Sequence, residues 1–353
     1  MLEFVKQGPV TGTEDRLSSR SRIRPACMGT VAAFLLLVLT VPALIRPSAS
    51  GKLSFDGHWL DEINAVRPDY VFLGNSMLQT RIDQSFLAAR LGSNSCYIMW
   101  SPGAESAWAH QALKNIVLAS VHRPKKVFVF FRDVYLTLPT HRAGDQYWWR
   151  IERLSHESEP ELARTMSATR TWQEKLQYRL GLVYPIQKYR ERAGYLLEWI
   201  AGQMIAPGKV PYGTSVAGDF NDLFSLDRMK AVEAADDADF CIDDPEIYDF
   251  DGMVRNSLLP SILQMAKDQG VELVFVRVQR RPTRNGPPKQ PEELRRYIGK
   301  LQQYLLDHGA RFYDFTGDPE IGLDDYLDGD HIRPERKARS TELFLKRMGE
   351  YFP

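Results

Sequence analysis

Two short motifs at opposite ends of the chain contain residue types that could carry out nucleophilic chemistry. Gly74-Asn75-Ser76 directly follows a short apolar run, and Asp328-Gly329-Asp330-His331 lies close to the C-terminus. A carboxylate three residues before a histidine can accept a hydrogen bond from the imidazole Nδ1–H, which leaves Nε2 free to take a serine proton. The spacing therefore predicts Ser76 as nucleophile, His331 as base and Asp328 as orienting acid.

Each motif also has a simpler interpretation. Gly-Asn-Ser is common in ordinary turns, so the first motif alone is weak support for catalysis. Asp330 could be an acidic residue at the start of the closing helix, which the pattern predicts over 335–351. Asp328 has the better spacing for the orienting role.

Alternating apolar segments must position these motifs. Short apolar runs predict five strands, and longer stretches with apolar residues at helical spacing predict helices between them. The predicted strands are 69–73, 95–99, 126–131, 272–278 and 311–315. The predicted helices are 82–91, 106–119, 254–267, 294–306 and 335–351.

This alternation predicts β-α-β units, and hence a parallel sheet of about five strands with helices on both faces. Functional residues in such α/β/α sandwiches lie at the carboxyl ends of the strands. Segments that follow strands should therefore meet at one edge, and these are Gly74-Asn75-Ser76, Ser101-Pro102-Gly103, Arg132-Asp133 and 277–281.

Residues from about 140 to 250 interrupt the alternation. They are rich in aromatic side chains at helical spacing, beginning with Tyr147-Trp148-Trp149, and predict an inserted helical subdomain. The aromatic rings could form a groove for sugar rings, although packing within the insertion's own core is the favoured interpretation. An acidic run over 236–251 lacks the oxygen spacing of an EF-hand loop and indicates a solvated loop, so no metal site is predicted.

The bulk composition describes an ordinary globular protein. The chain has 353 residues, 44% hydrophobic and 25% charged, with a formal net charge of zero. A zero net charge gives no basic field for nucleic acid. Three scattered cysteines, Cys27, Cys96 and Cys241, are too few for a disulfide framework or a metal cluster. Free, buried thiols are expected, and a pair between Cys96 and Cys241 is the alternative.

The N-terminal segment predicts a membrane anchor. Residues 1–25 are a polar tail with four arginines near its end, and Ala26 to Ile45 contains no charged residue. Twenty residues of helix span a hydrocarbon core, and the preceding arginines favour a cytoplasmic N-terminus. A transmembrane helix is thus predicted over 26–46, followed by a linker that leads into the domain over 47–68 and an exported domain over 69–353. A cleaved signal peptide, with Ser48-Ala49-Ser50 at its cleavage site, and a buried helix of a soluble domain are the alternatives.

Taken together, the two motifs resemble those of the SGNH, or GDSL-like, hydrolase superfamily. The resemblance covers about residues 69–138 and 254–352, and it implies a flavodoxin-like fold with Ser76, His331 and Asp328 as catalytic triad. It also implies that the Gly103 N–H contributes to the oxyanion hole beside Ser76. The family's further oxyanion donor, an asparagine after the third strand, is replaced here by Arg132-Asp133, so Arg132 could instead stabilise the oxyanion or hold a substrate carboxylate or sulfate. The residues expected to stabilise the oxyanion or bind the substrate are therefore Gly103, Arg132 and Asn75.

One branch of the superfamily is similar in its single N-terminal transmembrane helix, degenerate first motif and late histidine. It comprises the anchored proteins of polysaccharide O-acetylation, such as alginate acetylation and teichoic acid D-alanylation partners. This resemblance implies acyl transfer through Ser76 to a sugar hydroxyl in the periplasm, beside a multi-pass membrane acyltransferase and without a cofactor. A periplasmic esterase or deacetylase with the same triad, and a non-catalytic glycan-binding scaffold, are the alternatives.

Overall fold

The computed structural model describes residues 55–92, 95–143, 145–156, 158–168, 245–282 and 290–352. These residues belong to one compact unit, which covers 47–353. The predicted anchor over 26–46, the tail before it, most of the predicted insertion, Cys27 and Cys241 lie outside the described residues. Within the described part, no helix is both long and apolar enough to cross a membrane.

A parallel sheet of five strands forms the centre of the unit. The strand order is β2-β1-β3-β4-β5, which is the order of the flavodoxin-like sheet, so the predicted fold class is confirmed. Each predicted strand is found, and its observed ends differ from the expected ones by one residue at most. The strands are β1 (Tyr70–Gly74), β2 (Cys96–Trp100), β3 (Lys126–Phe131), β4 (Glu272–Arg277) and β5 (Arg311–Asp314).

Helices surround the sheet, and a two-stranded antiparallel hairpin follows it. Among the described residues up to 168, the helices are α1 (His58–Val66), α2 (Ser76–Arg81), α3 (Gln84–Leu91), α4 (Ser106–Ala112), α5 (Asp145–Arg153) and α6 (Pro160–Ala168). The later helices are α7 (Phe250–Arg255), α8 (Leu259–Asp268), α9 (Glu292–Asp307) and α10 (Lys337–Arg347). The hairpin consists of β6 (Tyr326–Asp328) and β7 (His331–Ile332).

Side chains that alternate along the strands build two separate hydrophobic cores, one on each face of the sheet. Val71, Leu73 and Phe131 belong to the first core, whose helical side comes mainly from α4, α8 and α9. Phe72 and Phe128 belong to the second, which α2, α3 and α10 cover. Strands buried on both faces read as continuous apolar runs, which is why the sequence pattern locates them well. The three-layer α/β/α arrangement follows from these two cores.

Three helices differ from their predicted limits by more than two residues. The helix expected over 106–119 is α4, which ends at Ala112, followed by a π-helical segment over Leu113–Val117. The helix expected over 254–267 is two helices, because Ser257 accepts a hydrogen bond from the Leu259 N–H and Pro260 lies in the first turn of α8. Helix α10 begins at Lys337, and short 3-10 turns on either side account for the remainder of the predicted 335–351 segment. Helix α2 was not predicted, since its residues were expected to form a turn.

Cys96 is a free, buried thiol, as expected for that cysteine. Two helices of the predicted insertion, α5 and α6, fall within the described residues. Trp148 packs against the first core, whereas Tyr147 and Trp149 are half-buried. The described aromatic residues of the insertion therefore divide between core packing and a partly exposed surface.

Substitution of Phe344 should test how α10 is held against the sheet. Its ring is 3% exposed and lies 5.9 Å from the Phe72 ring and 5.8 Å from the Phe128 ring, between centroids. We expect Phe344→Ala to lower the free energy of unfolding by about 3–5 kcal/mol, and Phe344→Leu by about 1 kcal/mol, in urea denaturation. A loss below about 1 kcal/mol for the alanine variant would contradict this packing.

Candidate active site

The end of strand β1 and the start of helix α2 position Ser76. Asn75 is the N-cap of α2, and its side-chain oxygen accepts a hydrogen bond of 2.9 Å from the Met77 N–H. Ser76 is the first residue of the helix. A Cβ on Gly74 would lie 2.8 Å from the Leu78 Cβ and 3.1 Å from the Phe130 Cβ, so glycine is needed where the strand turns into the helix.

Ser76 and His331 are in direct contact. The Ser76 Oγ and the His331 Nε2 lie 2.8 Å apart, although the two residues are separated by 255 positions. At this distance the two atoms form a hydrogen bond. Proton transfer from the hydroxyl to the imidazole requires such a contact. This contact is partly buried.

The hairpin of β6 and β7 presents His331 and brings Asp328 opposite it. The two residues are paired across the antiparallel ladder, with Asp328 at the end of β6 and His331 at the start of β7. Gly329 takes a positive φ of 36° in the turn between them. The backbone thus places the predicted orienting acid next to the base.

Asp330, at the tip of this hairpin, is fixed by three arginines. Its carboxylate forms an ion pair with the Arg132 guanidinium and accepts a hydrogen bond of 3.2 Å from the Arg281 backbone N–H. Its backbone carbonyl accepts a hydrogen bond of 2.6 Å from the Arg81 Nη1. The sequence suggested that Asp330 could be a helix-terminal acid, but the structure shows that it anchors the turn carrying His331.

Arg81 is a buried cation that links several parts of the site. It is 5% exposed, and its Nη2 donates to the Gln279 carbonyl at 2.9 Å while the guanidinium lies over the Tyr326 ring. Burial lowers the pKa of Arg81 from its ordinary value. Because Arg81 ends helix α2, its bond to Asp330 joins the helix that begins with Ser76 to the hairpin that carries His331.

Arg132 follows strand β3, where the family resemblance implied an asparagine. Its Nη1 pairs with Asp330, and its Nη2 donates a hydrogen bond of 3.0 Å to the Tyr135 hydroxyl. Both terminal nitrogens therefore already have partners within the protein. The adjacent Asp133 has a positive φ of 48°, which holds its carboxylate between two further arginines.

Asp133 forms a buried charge cluster with Arg277 and Arg280. Its carboxylate accepts hydrogen bonds of 2.7 Å from the Arg277 Nη2 and of 2.7 Å from the Arg280 Nε. Burial acts to raise the pKa of Asp133, but Arg280 and Arg277 outweigh it and the pKa lies below its usual value. This cluster ties the ends of strands β3 and β4 together beneath the site.

The turn after strand β2 contains Gly103. The Ser101 N–H donates to the Gly74 carbonyl at 3.2 Å, so this turn lies beside the end of β1. Gly103 has a φ of 67°, and a Cβ there would lie 2.3 Å from the Tyr147 ring. Among the described residues, neither the Ser76 N–H nor the Gly103 N–H has a hydrogen-bond acceptor within the protein. Both N–H groups therefore fit the predicted oxyanion role.

Glu105 is a site residue that sequence reasoning missed. It is 8% exposed, and its Oε1 accepts a hydrogen bond of 3.3 Å from the Asn75 Nδ2. The Arg142 Nη1 lies 3.8 Å from the same oxygen. Burial raises the pKa of Glu105 to about 7, and Arg142, Arg132 and Asn75 only partly oppose this effect. The only sequence signal was an acid just before a helix, which is a common surface pattern.

The described residues contain no group of three or more histidine, cysteine, aspartate or glutamate side chains that could hold a metal ion. A serine hydroxyl in hydrogen-bond contact with an imidazole can transfer an acyl group without a metal ion. Chemically, the arrangement is suited to nucleophilic attack on an ester carbonyl.

Comparisons with known proteins identify only distant similarity. No family model and no curated protein matches the chain. Two similar solved structures are a candidate acylhydrolase of Bacteroides fragilis and a GDSL-like lipase of Bacteroides thetaiotaomicron, each 11% identical to this chain. The first has a TM-score of 0.37 and covers 87% of this chain and 99% of its own. The second has a TM-score of 0.36 and covers 84% of this chain and 98% of its own. Because these identities and TM-scores are low, the fold class is assigned from the order and direction of the strands. The candidate site is likewise assigned from its own contacts and distances.

Glu105 should make stability depend on pH. Its pKa of about 7 exceeds the ordinary 4.5, so the folded state binds the proton more tightly and Glu105 destabilises the fold as pH rises from 4.5 to 7. Because glutamine does not ionise, Glu105→Gln should remove this loss of stability. In urea unfolding, the variant should gain up to roughly 3 kcal/mol over the wild type between pH 4.5 and 8, at about 1.4 kcal/mol per pKa unit. Glu342→Gln, whose side chain is 63% exposed, is the control, and parallel pH curves for wild type and Glu105→Gln would contradict the expectation.

Loss of the Asp330 carboxylate should destabilise the hairpin. Asp330→Ala leaves Arg132 without its partner in a partly buried position, where its side chain is 18% exposed. We expect a loss of about 2–4 kcal/mol in the free energy of unfolding, and a smaller loss for Asp330→Asn, which keeps a hydrogen-bond acceptor. Asp324 is exposed, so Asp324→Ala is the control and should change the free energy of unfolding by less than about 0.5 kcal/mol. Equal effects for Asp324 and Asp330 would rule out the anchoring role.

Proposed function

We propose that the protein transfers an acyl group through an ester on Ser76, with His331 moving the proton and Asp328 orienting the imidazole. The observation that carries this proposal is the hydrogen bond of 2.8 Å between the Ser76 Oγ and the His331 Nε2. The acyl group is an acetyl group, and its acceptor is a hydroxyl of a cell-envelope or exported polysaccharide.

In the first half of the reaction, the Ser76 Oγ attacks the carbonyl carbon of the acyl donor as its proton passes to the His331 Nε2. The oxyanion that forms is stabilised by the Ser76 and Gly103 N–H groups. When it collapses, the bond to the leaving oxygen breaks, and the leaving group takes the proton from His331. Ser76 then carries the acyl group as an ester.

In the second half, the acceptor hydroxyl gives its proton to His331 and attacks the acyl carbon. The bond between that carbon and the Ser76 Oγ breaks, and Ser76 regains the proton. A water molecule as acceptor would make the protein an esterase by the same steps, so the acceptor is decided by which molecule reaches the acyl-enzyme.

Sequence features support a location for this chemistry outside the cytoplasm. The uncharged run from Ala26 to Ile45 and the arginines before it are typical of a membrane anchor with a cytoplasmic N-terminus. In this proposal the domain acts in the periplasm beside a multi-pass membrane acyltransferase that supplies the acyl group. No cofactor takes part, because each proton and bond is accounted for by the three side chains.

Substitution of the proposed nucleophile and base should remove activity without unfolding the protein. Ser76→Ala and His331→Ala should each lower the turnover of p-nitrophenyl acetate about a thousandfold or more, since these groups act as a unit. Circular dichroism should be unchanged. The exposed Ser85, changed to alanine, is the matched control and should keep wild-type turnover. Wild-type rates in both site variants would refute the proposal.

Intact mass spectrometry should separate the two acceptors. Wild-type protein mixed with the acetyl donor should gain the mass of one acetyl group, and Ser76→Ala should not. Addition of a polysaccharide acceptor should discharge the acyl-enzyme and yield an O-acetylated sugar. Discharge to free acetate alone would favour the esterase.

A further inference from the structure

Beside the nucleophile lies an arginine that the proposed mechanism does not use. Arg142 lies in the segment between strand β3 and helix α5, and its backbone has a positive φ of 48°. Its side chain is 39% exposed. No hydrogen-bond acceptor for its guanidinium is found in the described part of the chain, where the nearest carboxyl group is Glu105 at 3.8 Å.

A continuous chain of contacts connects Arg142 to the reacting serine. Its neighbour Glu105 accepts a hydrogen bond from Asn75, and Asn75 directly precedes Ser76. On its other side, the Arg142 guanidinium lies 5.9 Å from the centre of the Tyr147 ring. Tyr147 in turn packs against Gly103, the second proposed oxyanion donor. Arg142 therefore borders the same site from the side of helix α5.

Among the side chains that the structure describes, the charge of Arg142 is only partly balanced. Glu105 has a pKa raised to about 7 by burial, so it is partly protonated near neutral pH. The carboxylates of Asp330 and Asp133 pair with other arginines, Asp330 with Arg132 and Asp133 with Arg277 and Arg280. A half-exposed guanidinium without full compensation is suited to an anionic ligand.

We propose that Arg142, supported by the Tyr147 ring, binds a carboxylate of the substrate next to Ser76. This inference rests on the proposed function and narrows its acceptor to a sugar that carries a carboxylate. The planar guanidinium offers paired N–H donors that match the two oxygens of a carboxylate. Arg132 cannot serve in this way without giving up Asp330 or Tyr135, because both of its terminal nitrogens are engaged.

Binding can be measured without turnover by using the full chain with Ser76→Ala. Trigalacturonate should bind at least about tenfold more tightly than its fully methyl-esterified form, which has the same rings without the charges. Adding Arg142→Gln should abolish this difference, and Arg142→Lys should keep part of it. Equal binding of the two sugars, or a preference that survives Arg142→Gln, would overturn the inference.

Kinetics separate failure of this inference from failure of the proposed function. Arg142→Gln should lower kcat/KM for 4-acetoxybenzoate about 10- to 100-fold, and that for its uncharged methyl ester less than about twofold. Arg164→Gln on helix α6, where the side chain is 77% exposed, is the control and should change neither. Equal losses for both esters would make Arg142 a structural residue and overturn the inference. If the wild type cleaves neither ester, the proposed function fails, and the binding comparison still decides the carboxylate subsite.

Discussion

The hydrogen bond between Ser76 and His331 depends on how the hairpin of β6 and β7 is held against helix α2. Neither residue is rigid by itself, because Ser76 begins a short helix and His331 lies in a strand of two residues. Asp330 supplies the restraint, since one arginine holds its carboxylate and another its carbonyl. Such a ring of contacts keeps the base within reach of the hydroxyl before any substrate arrives, and preorganisation of this kind is what acyl transfer needs.

The sequence located the sheet well because its strands are buried on both faces. The continuous apolar run of β3 was predicted with its observed ends, and the parallel arrangement of the strands followed from the alternation with helices. The pairing of Ser76 with His331 was also predictable, because a carboxylate three residues before a histidine is a spacing suited to a base that accepts a serine proton. Helix α2 was missed because its six residues lack enough length to show a helical period.

The sequence could not predict which charged residues pair with one another in the site. Arg132 was recognised as a departure from a family pattern, but its pairing with Asp330 joins residues 198 positions apart and depends on the folded geometry. Glu105 carried only the common signal of an acid before a helix, because the effect of burial on a carboxyl group is a property of its surroundings. Residue types and spacing thus predicted the contact between Ser76 and His331, whereas the charged groups around it become visible only in three dimensions.

The packing of helix α10 against the aromatic core has a consequence for the order in which the protein matures. Its Phe344 side chain belongs to the core on the face of the sheet that contains Phe72 of β1, and His331 lies 13 residues earlier in the chain. During synthesis, Ser76 emerges from the ribosome long before His331 and before the helix that closes this core. The contact between the Ser76 Oγ and the His331 Nε2 can therefore form only when nearly the whole chain has been made, together with final closure of the domain.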